Sequence, residues 1–415
     1  MATAEAFARP GLVRVVAAPA AGVGSLGLLA VAVAAARPED SPLSPDHAGG
    51  DTGWSWLYLG ALAGAFLLYL VGLALTRSPA ARLAPVIAVA VLIQVAPLAG
   101  PVLLSTDAYT YWAYGRIGAV YGESPYDVAP AAFPDDPAYA VMGEDWRETT
   151  SVYGPGFTLL SEGHAAVVGD SRSAAAWLYR GLATASMLAL VALAARLGRR
   201  PALAAAFVGW NPLLAVHFAG GGHNDALMMV LVLGALALSA ARRPNLAGAS
   251  WALSIALKWV PAVFLVLRAL EARATGRSVR HLGFGLAAGV LAGLALWRYG
   301  LGWLGAVVPL AENATKQAVY SIPNRFSDLT GLPEGAAAGL FAGLFLLSFV
   351  WLAREARRGR ARLGLAAGLL LVSTPWLVPW YAVWAVPLAA IEEDRTARVL
   401  ALALSAYLLR DAVPL

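Results

Sequence analysis

STDAYTYWAYGRIGAVYGESPYD, Ser105 to Asp127, opens a polar stretch that runs to Arg172 in a chain that is otherwise strongly apolar. It carries Asp107, Glu123 and Asp127, tyrosines at 109, 111, 114, 121 and 126, and further carboxylates out to Glu162. The runs on either side are long and apolar enough to lie in a bilayer. A chain that sets so long a polar loop between such runs uses it for recognition or chemistry.

The composition agrees. The chain has 415 residues, is 59% hydrophobic and 13% charged, and has a mean hydropathy of +0.66. Soluble domains are about 45–50% apolar and about 25% charged. The expected fold is an all-α polytopic membrane protein, with residues 1–415 forming one transmembrane domain. There is no cysteine, so disulfides and thiolate metal sites are excluded. The net charge of +5 sits in arginines of short loops, where it sets topology and does not imply nucleic acid.

Working outward from the loop, spans are expected at about 54–76 and 83–104 before it. An uncleaved first helix is expected over 12–36, because its apolar run exceeds a signal-peptide core of about 7–15 residues. Beyond the loop, spans are expected at about 174–195, 201–218, 224–241, 281–297, 335–353 and 396–412. Residues 246–270 have arginines at both ends, and Lys258-Trp259-Val260-Pro261 in the middle. Proline breaks a helix, so this segment reads as a hairpin that returns to the side it left. Residues 363–391, interrupted by STPWLVPWY, read as a second. The arginine clusters, from Arg9 and Arg14 to Arg280, Arg357 and Arg398, then share the cytoplasmic side. Loops 105–172 and 298–334, and both hairpin tips, face outward.

Several residues point to chemistry. Asp107 stands where a span meets the loop, with Arg116 further along; a carboxylate there can act as a general base. The aromatics beside it also suit an interfacial amphipathic helix. NPLLAVHFAGGGHNDALMM, Asn211 to Met229, breaks a helix at three glycines and starts another at His223, Asn224 and Asp225. Asp225 can cap that helix; the trio can also supply acid–base groups or bind sugar hydroxyls. One His and one Asp are too few for a metal site. Lys258, one of only two lysines, is a cation in an outward cleft and a natural partner for phosphate. Arg325 and Arg180 are weaker candidates of the same kind.

Taken together, the Asp107 to Arg116 segment, Tyr153-Gly154-Pro155, NPL with GGGHNDALM, Lys258 to Pro261 and Pro379-Trp380-Tyr381 resemble the GT-C glycosyltransferases over roughly residues 83–391. The nearest likeness is to the actinobacterial polyprenol-phosphate-mannose-dependent α-(1→6)-mannosyltransferases. The resemblance implies a GT-C-like helix bundle in a bacterial plasma membrane, with its active site on the extracytoplasmic side and short amphipathic helices in the first loop. It implies a polyprenyl-phosphate sugar donor, a lipid-linked glycan acceptor, membrane lipids as surroundings and no cofactor. Asp107 would be the catalytic base, with His223 second choice. Lys258, Arg116 and Arg325 would hold phosphate, and Tyr111, Tyr126, Tyr153, Asn224, Asp225 and Tyr381 would line the substrate site. A lipid transporter or flippase, also built of broken helices, is the rival reading, and a GT-C enzyme with another sugar or acceptor is a third.

Overall fold

Five loops end where a side-chain oxygen takes a free helix N–H. Asp51 accepts from Gly53 N at 2.8 Å, Ser171 from Ala174 N at 3.2 Å and Asn211 from Leu213 N at 3.1 Å. Ser321 accepts from Asn324 N at 3.3 Å and Asp394 from Thr396 N at 3.0 Å. The computed structural model describes residues 10–79, 81–277, 282–306 and 318–415, with the backbone alone for 10–16. Arg9, Arg280 and the middle of the second loop, 307–317, lie outside the described residues.

The chain is helical, with no strand among the described residues. In order come α1 (Pro10–Ala35), α2 (Thr52–Thr76), α3 (Leu83–Val95), α4 (Asp107–Ala119), α5 (Pro155–Val168) and α6 (Arg172–Leu197). Then follow α7 (Pro201–Gly209), α8 (Pro212–Ala215) with a π turn at Val216–Gly220, α9 (Asp225–Ala240), α10 (Pro244–Leu257) and α11 (Pro261–Ala274). The chain closes with α12 (Leu282–Tyr299), α13 (Ile322–Thr330), α14 (Glu334–Arg357), α15 (Leu363–Ser373), α16 (Ala382–Ile391) and α17 (Arg395–Tyr407).

Among the described residues, five helices are long and apolar enough to cross a bilayer: Ala17–Ala35 within α1, then α2, α6, α12 and α14. The expected span 201–218 is α7 and α8, bent by 51°, because Pro212 cannot continue the helix of Gly209. The expected span 83–104 stays α-helical only to Val95 and tightens into a 3₁₀ turn at Ala96–Ala99, where Pro97 falls. Helix α4 is not an interfacial surface helix: every residue from Ala108 to Gly118 is buried.

Helix α16 is the centre. Ala382 to Ala390 are all buried, against α6, α7 and α9. Around it the broken segments go out and come back. At one end of the bundle Leu363 N and Gly364 N, starting α15, donate to Glu392, just past α16, at 2.6 and 3.0 Å. At the same end Ala361 N donates to Glu271 of α11, and Arg199 pairs with Glu393 at 2.7 Å. The first turns of α10 and α12 also touch, since a Cβ on Gly283 would meet the Asn245 carbonyl at 1.9 Å. This basic end holds Arg77, Arg200, Arg362 and Arg398. The Asp107, Gly222, Lys258 and Pro379 breaks gather at the opposite, loop-bearing end.

The loop is fastened by helix α4 crossing α5. A Cβ on Gly115 would lie 2.1 Å from the Ser161 carbonyl, whereas one on Gly163 would meet nothing. Gly115→Ala is therefore expected to destabilise by about 1–3 kcal/mol, the usual cost of forcing atoms into a packed contact. Gly163→Ala is expected to be neutral or slightly stabilising. Thermal unfolding of the two purified variants checks this; equal midpoints would mean the crossing is not close-packed.

Candidate active site

Three chain breaks place the polar groups. Asp107 is the first residue of α4, its N–H held by Ser105 Oγ at 3.1 Å. His223 follows the glycine turn, where Gly222 has φ +79°, a conformation glycine adopts freely. Gly220 passes the side chain of Leu103 so closely that a Cβ would sit 2.7 Å from it. Lys258 is extended, φ −155° and ψ 143°, between α10 and the proline-started α11.

The Asp107 and Lys258 breaks open onto a cavity of about 310 Å³, near the lower end of small-molecule sites. Asp107, Tyr111, Tyr153, Lys258 and Tyr381 stand on its wall, together with a ring of tryptophans that includes Trp259, Trp376, Trp380 and Trp384. Asp107 Oδ2 lies 3.0 Å from His223 Nδ1 and accepts the Tyr111 hydroxyl at 3.0 Å. Oδ1 has no hydrogen-bond partner among the described residues. Burial pushes the Asp107 carboxyl up. The His223 hydrogen bond and charge, the Tyr111 hydroxyl and the Lys258 charge together outweigh it and hold the carboxyl below its ordinary value. Asp107 thus stays ionised at neutral pH with one oxygen free to take a proton.

His223 does not line the cavity. It is fully buried, stacked on Trp380 with ring centres 3.7 Å apart and 12° between planes. Its Nε2 has no hydrogen-bond partner among the described residues, and its polar contact there is with Asp107. Lys258 Nζ donates to Asp225 Oδ1 at 2.7 Å and sits over the Tyr381 ring at 4.7 Å. Asp225 is fully buried and also accepts Trp384 Nε1 at 2.7 Å. An ammonium has three N–H groups, and the bond to Asp225 is the one this ammonium makes among the described residues, which leaves donors for an anion in the cavity.

The remaining candidates stand elsewhere. Arg116 is at the far end of α4 from Asp107 and on its opposite face; it is buried, paired with Asp136 and Asp170 at 2.7 Å each. It ties the loop together and does not reach the cavity. Arg325 pairs with Asp328 at 3.4 Å and covers Tyr320, also away from the cavity. Tyr126 bonds the Tyr153 carbonyl at 2.9 Å and packs on Tyr299, supporting the wall from behind. Asn224 is buried and does not line the cavity, and its Oδ1 has no partner among the described residues. No cluster of three or more His, Asp or Glu side chains suited to a metal occurs among the described residues. The tryptophan ring was not among the expected site residues; its signal was the recurrence of tryptophan at every fourth position, Trp376, Trp380 and Trp384, across the Ser373 to Tyr381 break.

Fold and site together define a polytopic helical membrane protein with one carboxylate-and-lysine cavity at its loop-bearing end. A family model described as alpha-(1->6)-mannopyranosyltransferase, N-terminal domain, matches residues 14–273, and one described as MptB C-terminal domain matches 334–414. The chain belongs to the alpha-(1->6)-mannopyranosyltransferase family. It is 31% identical over 353 residues to a probable alpha-(1->6)-mannopyranosyltransferase of Mycolicibacterium smegmatis, covering 71% of this chain and 62% of the relative. It is 28% identical over 374 residues to an alpha-(1->6)-mannopyranosyltransferase of Mycobacterium tuberculosis, covering 71% and 63%. A third, alpha-(1->6)-mannopyranosyltransferase A of Corynebacterium glutamicum, is 32% identical over 168 residues, 39% of this chain and 34% of the relative. The chain thus spans less than two thirds of the length of these relatives. No solved structure matches it.

The ion pair gives a stability test. Lys258→Met leaves the Asp225 charge buried against Trp384 without its partner, and is expected to cost about 3–5 kcal/mol. Adding Asp225→Asn should recover much of that loss. A double-mutant cycle on unfolding midpoints measures it; strictly additive effects would mean that the pair is not coupled.

Proposed function

We propose that the chain is a membrane mannosyltransferase that moves mannose from a polyprenyl-phosphate donor to a lipid-linked glycan acceptor on the extracytoplasmic face, with inversion. The observation that carries this is the convergence on one cavity of Asp107 and Lys258, far apart in sequence, in a chain whose relatives are named mannosyltransferases. Asp107 Oδ1 takes the proton of an acceptor hydroxyl. The freed oxygen attacks the anomeric carbon as the carbon–oxygen bond to phosphate breaks, through an oxocarbenium-like state. A β-linked mannosyl phosphate then yields an α-mannoside. Phosphate is a good leaving group, and the remaining N–H groups of Lys258 receive its developing charge, so no carboxylic acid is needed on that side. His223 orients Asp107 through the contact of its Nδ1 with Oδ2. The tryptophan ring offers apolar faces to the sugar ring and to the first isoprene units.

Purified enzyme with radiolabelled polyprenyl-phosphate mannose and characterisation of the labelled lipid tests the reaction; no transfer, or transfer of another sugar alone, would sink it. Asp107→Asn should fold and bind donor but lose about 10²–10⁴-fold in turnover, the usual worth of a positioned base. If that variant keeps normal transfer while His223→Ala abolishes it, the base is His223. The pH profile carries a sign. A base with a depressed carboxyl stays active above its folded value, so kcat/KM should fall only as pH drops below the ordinary carboxylate range. His223→Ala removes the depressing bond and charge, which moves that acid limb to higher pH.

The face of the membrane is tested separately. Cysteines placed singly at Glu144 and Arg357 should label differently with an impermeant reagent in intact cells, position 144 reacting. Labelling at 357 alone, or equal labelling, would reverse the proposed orientation.

A further inference from the structure

A second cavity lies behind α4. Tyr111 and Asp107 lie close to one face of this helix and look into the site described above. Tyr109 projects from the opposite face and lines another cavity of about 380 Å³ together with Asp46, Gly100, Arg172, Trp177 and Arg180. Its charges do not balance: two guanidiniums face one carboxylate. Arg172 pairs with Asp46, which also accepts the Tyr109 hydroxyl at 3.0 Å. Arg180 has no carboxylate within ion-pair distance among the described residues and is 3% exposed. Its Nε donates to the Ala219 carbonyl at 2.8 Å, and its Nη2 to the Pro97 and Gly100 carbonyls at 2.7 and 3.0 Å. Those bonds fix the guanidinium but do not neutralise it. Nη1, with its two N–H groups, makes no hydrogen bond to the described residues.

A buried cation without a counter-charge is costly. Here the guanidinium is pre-oriented by three carbonyls with one nitrogen left over, beside a second arginine and a tyrosine hydroxyl, in a cavity with room for a tetrahedral anion. Arginine forks match phosphate oxygens well. Arg172 starts α6 and Arg180 lies about 12 Å further along it, while Trp177 between them is half-exposed on the outer surface of the bundle, as an aromatic at headgroup level would be. We propose that this cavity is a phosphate-binding site, separate from the cavity of Asp107 and Lys258, and placed to take the phosphate of a lipid headgroup. A bound anion there would also brace the glycine turn that carries His223, because a Cβ on Gly222 would lie 3.3 Å from Arg180 N.

The test uses native mass spectrometry of the full chain in detergent, with phosphatidylglycerol, dioleoylglycerol and inorganic phosphate as probes. Two rim variants leave the three carbonyl bonds of Arg180 intact: Arg172→Gln removes a cation, and Asp46→Asn removes the competing carboxylate. Their unfolding midpoints without probe confirm that they fold. Wild type is expected to retain phosphatidylglycerol over dioleoylglycerol. Arg172→Gln should weaken that retention about threefold or more, within the range for a partly exposed charge, and Asp46→Asn should strengthen it. Inorganic phosphate should compete. Phosphate binding with the same variant order, but no preference for the phospholipid, supports the site and assigns it to free phosphate. Equal retention of both lipids in all three proteins with no phosphate binding, or the reverse variant order, overturns the proposal.

Discussion

The buried ion pair between Lys258 and Asp225 is the constraint on which the loop-bearing end depends. Three segments meet there: the start of α9 brings Asp225, the gap between α10 and α11 brings Lys258, and α16 brings Trp384, whose indole N–H binds the same carboxylate oxygen. In an apolar surrounding each unpaired charge costs several kcal/mol, so none of the three segments can move away alone. Asp225 Oδ2 is buried with no partner among the described residues, a further cost that packing elsewhere must offset. The pair also sets the chemistry, because it holds the ammonium at the cavity wall with donors to spare.

Broken helices impose a second demand. Non-helical backbone at membrane depth is tolerated only where its polar groups are satisfied internally or face a polar cavity. Arg180 answers this for the first breaks, collecting the carbonyls left open at Pro97, Gly100 and Ala219. The Leu257 carbonyl at the next break accepts Gly154 N at 3.2 Å, and the approach is so close that a Cβ on Gly154 would sit 2.2 Å from the Ala256 carbonyl. The Tyr153-Gly154-Pro155 turn thus fits against the Lys258 break and carries Tyr153 to the cavity wall.

Much of this was legible in the sequence, and the parts that were not share a cause. The helical class and the glycine and proline breaks follow from local chemistry, so Asp107, His223, Lys258, Tyr111, Tyr153 and Tyr381 could be singled out as residues beside breaks. The cost of charge in an apolar chain drew attention to Arg116 and Arg325 as well, but whether an arginine faces a cavity or a distant carboxylate is decided by folding. Asp136 and Asp170 reach Arg116 from elsewhere in the loop, and no spacing rule foretells that. The helical reach of 83–104 was overestimated because the apolar run continues through Pro97 and Pro101 although the helix does not. The tryptophans were read as part of a hairpin tip, since an aromatic in a membrane protein marks the interface as often as a ligand wall.

The second break, Ser373 to Tyr381, connects these strands of argument. Trp380, at the end of this break, stacks on His223, and Trp384, in the first turn of α16, binds Asp225, so neighbouring residues position the partner of Asp107 and the partner of Lys258. Lys258 lies over Tyr381 and Trp384, at 4.7 and 5.6 Å, where the aromatic faces favour the cation without consuming its N–H donors. The carboxylate half and the ammonium half of the cavity therefore share a support, and their separation is set by α16 and the turn before it, with α16 buried from Ala382 to Ala390. A rigid distance between a proton acceptor and an anion holder is what an in-line displacement at a sugar carbon requires.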